Sequence, residues 1–213
     1  MSLLIPSVLE TVYMVTFSTI IALLIGFPLG IILVITEKGH ICEMPLLNKV
    51  LSTIINVCRS VPYIILMIVL LPVSRWIIGT SIGTTASIVP LSIAAAPFVA
   101  RIIESSLKEI EWGKIEAALS MGASTLQIIF KVMIPETLPS LVLGITITVI
   151  SVLGYSAMAG AIGGGGLGSL AIIYGYQRFD YKIMNITLVI LIIMVQIIQS
   201  AGNGLAKKIS KNR

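Results

Sequence analysis

Apolar residues run through this chain in five long stretches, at 11–36, 50–71, 82–103, 139–162 and 183–205, almost free of charge and each long enough to cross a bilayer as a helix. The second is interrupted by Arg59 and Pro62, which predicts an interfacial lead-in that enters the membrane only after the proline. Between the third and fourth stretches lies the longest polar segment, 104–138, and a glycine-rich segment precedes the fifth. No solenoid-type repeat is present. The pattern predicts an all-α integral membrane protein of five transmembrane helices, a single domain over residues 1–213.

Composition agrees. Hydrophobic residues make up 57% and charged residues 11%, with a mean hydropathy of +1.08, whereas soluble domains average about 45–50% and about 25%. The net charge of +5 is not a nucleic-acid signature, because the basic residues sit at the ends of apolar runs. Lys38, Lys49, Arg59, Arg101, Lys108, Lys114, Lys131, Lys207, Lys208, Lys211 and Arg213 fall on one side; Arg75, Arg178 and Lys182 fall on the other. By the positive-inside rule the first side is cytosolic, which puts the N-terminus outside, the C-terminus inside and the 104–138 loop in the cytosol. The N-terminal sequence has neither a basic n-region nor a small-residue cleavage site, so no signal peptide is expected. Cys42 and Cys58 have no metal-site spacing and read as free thiols.

The residues needed for chemistry are scarce. His40 is the one histidine and reads as a solvated loop residue; no hydrolase triad, metal-binding HExxH or intramembrane carboxylate pair can be built. Catalytic and metal-binding residues are therefore expected to be absent. No stretch carries an acidic residue near its middle, which disfavours proton coupling, and the chain is short for the paired repeats of ion-coupled transporters. Uphill transport by this chain would need a partner to supply energy.

The polar segment offers a place for one. Residues 114–121, KIEAALSM, are strong helix formers; Gly122 suits a left-handed helix end, and Ser124 with Gln127 makes a capping box for a second short helix that Pro135 should stop. Ala117, Ala118 and Ala123 beside the joint would let a partner surface come close. The competing reading is an interfacial linker with Ile115, Leu119, Ile128 and Ile129 facing lipid.

Glu116-Ala117-Ala118, three residues, Gly122, nine residues and Val132-Met133-Ile134-Pro135 resemble the EAA signature of bacterial ABC importer permeases, with Val132 and Ile134 as conservative departures. The strings NVCRSVPYIIL, GTSIGTTASIVPLSIAAAPFVAR and GYSAMAGAIGGGGLG extend the resemblance over nearly the whole chain, to the methionine-importer branch of that family. The resemblance implies five spans per subunit and a permease homodimer in the bacterial cytoplasmic membrane. It implies two ATPase subunits that bind and hydrolyse ATP with Mg, leaving this chain no cofactor, and an extracytoplasmic methionine-binding lipoprotein. It also implies an ATPase-coupling role for Glu116, Ala117, Ala118, Gly122 and Pro135. Another small solute, such as a different amino acid or an organic anion, is the alternative cargo. A passive channel or assembly protein is the alternative class.

For the pathway, Tyr155, Ser156 and Met158 late in the fourth stretch are the candidates, with Met158 equally readable as packing. Gly163–Gly166 lacks the Lys-Ser/Thr of a phosphate loop and reads as a tight return or close packing. Gly26 and Gly30, around Pro28, predict a close helix contact and a kink. Arg59 is expected to snorkel to the cytosolic face or to pair with a carboxylate such as Glu104.

Overall fold

A computed structural model describes residues 3–211, almost all of them helical; Arg213, counted above, lies outside them. Helices α1 (Leu4–Ile35), α4 (Thr84–Leu107), α8 (Leu138–Gly160) and α10 (Tyr181–Lys211) are each long and apolar enough to span a membrane. The remaining stretch is a broken pair, α2 (Pro45–Ser60) and α3 (Tyr63–Ile78), bent by 104° at Val61-Pro62. Both residues of the break are extended, as expected when proline removes an amide and pushes the preceding residue out of the helical region. The break expected near Arg59 and Pro62 is therefore a sharp corner between two helices.

The centre of the molecule is the seam between α1 and α4. A Cβ on Gly26 would lie 2.5 Å from the Ala96 carbonyl oxygen and 2.6 Å from Val99 Cβ; one on Gly30 would lie 2.6 Å from Ile103 Cβ. The GxxxG spacing thus brings the two backbones together, with Ala22, Ala96 and Ala100 buried beside it. α1 runs unbroken through Pro28. Met14, Leu33, Leu91, Ile103, Leu107 and Val152 complete the buried core.

A polar cluster closes one end of this seam. Arg101 donates to Glu104, to the Ser52 hydroxyl and carbonyl and to Asn56 Oδ1 at 2.8 Å, while Lys108 reaches Glu104 at 3.0 Å and Glu37 at 2.9 Å. Glu104 is buried and is shared by two cations, Arg101 and Lys108. α2 is thereby fastened across α4. Glu104 serves this cluster, and Arg59 goes elsewhere.

The glycine-rich segment is a packing device. Gly163, Gly165 and Gly166 adopt positive φ and turn the chain back on itself. The short helix α9 (Gly166–Ser169), continued by a π-helical segment Leu170–Gln177, then lies against the end of α8, where a Cβ on Gly160 would meet Ser169 N at 2.2 Å. Glu10 Oε2 and Thr11 Oγ1 of α1 accept from the amides of Gly166 and Leu167 at 2.7 and 2.8 Å, satisfying a helix start that would otherwise be orphaned.

Candidate functional site

Two features stand out from the packed bundle: an exposed elbow and a cavity.

The elbow begins after α4 with α5 (Trp112–Ser120). Gly122 ends it at φ +77°, where the missing Cβ avoids the left-handed penalty. Ser124 starts α6 (Thr125–Ile128): its hydroxyl accepts from the Gln127 amide, and Gln127 Oε1 accepts from the Ser124 amide at 2.8 Å. The chain then continues through a π-helical turn, Ile129–Met133, and α7 (Ile134–Glu136) into α8. The helix that holds Pro135 ends at Glu136, one residue beyond it, and α8 starts after the turn at Thr137. The wider π turn just before it accommodates a residue without an amide, and Thr137 Oγ1 donates back to the Met133 carbonyl at 2.9 Å.

Ile115, Ile128 and Ile129 are buried within the protein's own core, which removes them from a lipid-facing stripe. Ala118 is buried with them, while Glu116, Ala117 and Gly122 stay exposed and Met121 is 82% exposed at the tip. The elbow is tied down on several sides. Lys114 pairs with Glu136, Ser140 Oγ donates to Glu109 at 2.8 Å, Cys42 Sγ meets Thr125 Oγ1 at 3.8 Å, and His40 packs edge-on to Trp112.

His40 is thus half-buried rather than solvated, and its Nδ1 is buried without a partner among the described residues. Burial pushes its pKa below the ordinary histidine value, with Glu37 opposing and Lys108 reinforcing. Partial burial pulls the neighbouring Lys108 ammonium down, but its hydrogen bonds to Glu37 and Glu104 outweigh this and leave it above the usual lysine range.

The cavity, about 530 Å³, lies where the α2–α3 corner faces α4 and α8. Arg59, Tyr63, Ala94, Phe98, Tyr155 and Met158 are among its lining residues. Ala94 and Phe98 fall near the midpoint of α4, so the cavity reaches the middle of that helix. Tyr63 and Tyr155 stack at 4.6 Å across it, and the Tyr63 hydroxyl donates to Met67 Sδ at 3.4 Å. Ser156 does not line it; that side chain is buried and donates to the Leu153 carbonyl at 2.8 Å. Of the three residues singled out late in α8, two face the cavity and the third packs behind its wall. Arg59 and Phe98 join them without having been expected there; the signal for Arg59 was its place beside the one proline that breaks a span.

Four apolar helices long enough to span a membrane, packed with a sharply bent helix pair beside a cavity, make this a helical membrane domain. The profile of the family described as "Binding-protein-dependent transport system inner membrane component" matches residues 26–211. The chain is 50% identical over 207 residues to the Probable D-methionine transport system permease protein MetI of Vibrio cholerae, covering 97% of this chain and 92% of that one. It is 44% identical over 180 residues to the Methionine import system permease protein MetP of Bacillus subtilis, covering 84% and 81%. A chain of the MetNI methionine ABC transporter, solved in inward-facing form, superposes with a TM-score of 0.97 at 46% identity, covering 98% of this chain and 97% of that one. This chain belongs to the family of binding-protein-dependent transport system inner-membrane components.

Proposed function

We propose that this chain is the permease subunit of an ATP-driven importer that carries methionine across the bacterial cytoplasmic membrane. The observation that carries the reading is the α5 elbow: an exposed helix, anchored to the spans by buried isoleucines, in a chain whose near-full-length relatives are named as methionine permeases. Two copies would form the pathway, each joined to an ATPase subunit that binds ATP and Mg, with a methionine-binding lipoprotein delivering cargo from outside. The N-terminus is placed outside and the C-terminus, with α5, in the cytosol, on the charge asymmetry of the loops. Broken α2–α3 and α8 would line the route, with Tyr155 and Met158 exposed to it and Ser156 fixing the helix behind them.

Coupling follows from how the elbow is held. Glu116, Ala117 and Gly122 present a close-approach surface to the ATPase, Ala118 secures α5 to the core, and the π turn and α7 lead from α6 through the turn at Thr137 into α8. A push on α5 is then delivered to α8 and to the cavity wall, because packed interfaces switch between discrete arrangements instead of deforming smoothly. Proteoliposomes with the permease, its ATPase and its binding protein should take up methionine only with ATP. Glu116→Lys should reduce that uptake at least about tenfold, because a reversed charge in a docking surface costs more than about 1.4 kcal/mol. Uptake by the permease alone, or undiminished uptake by the variant, would refute the reading.

A further inference from the structure

Among the described residues no carboxylate pairs with Arg59. The cations on the packed side are spoken for: Arg101 and Lys108 hold Glu104 and Glu37, and Lys114 holds Glu136. Arg59 instead stands exposed in the last turn of α2, on the wall of the cavity it shares with Ala94 and Phe98 of α4. A guanidinium with no ion-pair partner on a cavity wall offers a planar fork of donors to an anionic group entering that cavity. Around it the cavity is apolar and aromatic, with Phe98, the Tyr63–Tyr155 stack and the Met158 thioether on the facing walls. A single fork of guanidinium donors set among apolar walls matches one kind of solute: a carboxylate carried on a small apolar body.

We infer that the α2–α3 corner is a solute-binding site within the membrane domain, in which Arg59 takes the α-carboxylate of the transported amino acid while Phe98, Tyr155 and Met158 accept its apolar side chain. The ammonium group goes to the carbonyls at the C-terminal end of α2, which lie at the negative end of its dipole. The corner thus offers both signs of charge at a single break in a span, the arrangement that discontinuous helices provide in other transport folds. This assignment rests on the reading of the chain as an amino-acid permease and adds the residue that would recognise the cargo.

Cys58 lines the same cavity and is exposed, while Cys42 is half-buried at the elbow, so the protein carries its own reporter and its own control. The permease–ATPase complex, free of nucleotide in lipid nanodiscs, is treated with N-ethylmaleimide, and modification of each cysteine is followed by peptide mass spectrometry. Methionine is expected to slow alkylation of Cys58 at least about threefold and to leave Cys42 unchanged, whereas methioninol, which lacks the carboxylate, should protect at least about tenfold less effectively by concentration. In Arg59→Gln the protection by methionine should vanish while Cys58 remains reactive, which reports an intact, open cavity; Arg59→Lys, retaining charge without the fork, should recover part of it. Equal protection in wild type and Arg59→Gln would overturn the assignment, as would absence of protection in a complex that transports methionine. If the complex transports another carboxylated solute, the methionine reading fails, and Arg59-dependent protection by that solute still upholds the site.

Discussion

The two sides of α4 are built to opposite specifications. Against α1 the backbones touch through Gly26 and Gly30, the residues between them are alanine and β-branched, and a shared-charge cluster pins one end. On the α2–α3 side the span is broken, aromatic rings and a thioether replace the close-packed small residues, and about 530 Å³ stays open. The first is a frame with one low-energy packing; the second is a wall that can be lined, occupied and rearranged. A transporter needs both, because movement is useful only when it is relative to something that does not move.

The frame is the easier half to break. Gly26→Leu has no room beside the Ala96 carbonyl and Val99, so the seam must separate; overpacking of this kind typically costs about 1–3 kcal/mol and sometimes more. The expected outcome is loss of monodisperse complex on size-exclusion chromatography and of uptake with it. Truncating Met158 at the cavity wall to alanine should by contrast leave the complex assembled.

Arg101→Ala leaves buried Glu104 with Lys108 as its remaining cation and releases Ser52 and Asn56 of α2 from α4. A cost of about 2 kcal/mol is expected, below the ~3–5 kcal/mol of a fully orphaned buried charge because Lys108 still compensates. It should appear as a lower thermal midpoint of the purified complex, and a coupled Arg101→Ala/Glu104→Gln variant should recover part of the loss.

The smallest effect concerns His40. Its pKa is lowered in the folded protein, so the neutral form is favoured; the stability it contributes is full above the ordinary histidine pKa and is lost as pH falls through the lowered folded value. Thermal midpoints measured downward from about pH 8 should therefore decline below about pH 6.5, and His40→Gln should flatten the decline. An unchanged slope in the variant would assign the pH dependence to other groups.

The sequence was informative where a residue type has a single physical use. The small-residue spacing of Gly26 and Gly30, the left-handed end at Gly122, the Ser124–Gln127 box and the corner at Pro62 are local, and each was readable in advance. Facing was not readable. In a span that is apolar all round, periodicity cannot separate lipid, core and cavity, so Ser156 and Ala118 were placed on surfaces from which they turn away. Pro135 marks a helix end to within one residue, while the π turn before it, Ile129–Met133, has no signal in the sequence. Glu10 lay just outside the first apolar run, and nothing local reveals that it accepts from an amide 156 residues away.

The central claim is that α5 is packed into the same core as the spans, so that a push on α5 moves the spans with it. Spin labels at Met121, on the elbow tip, and at Leu24, on the outer face of α1, both offer exposed attachment points. With Cys42 and Cys58 replaced by serine and the doubly labelled chain diluted into unlabelled permease, their separation can be measured by pulsed electron paramagnetic resonance with and without trapped ATP. The account predicts an unchanged distance within the chain, together with a shortened Met121-to-Met121 distance across the dimer in singly labelled complexes. A within-chain distance that changes with nucleotide while the distance across the dimer does not would contradict it.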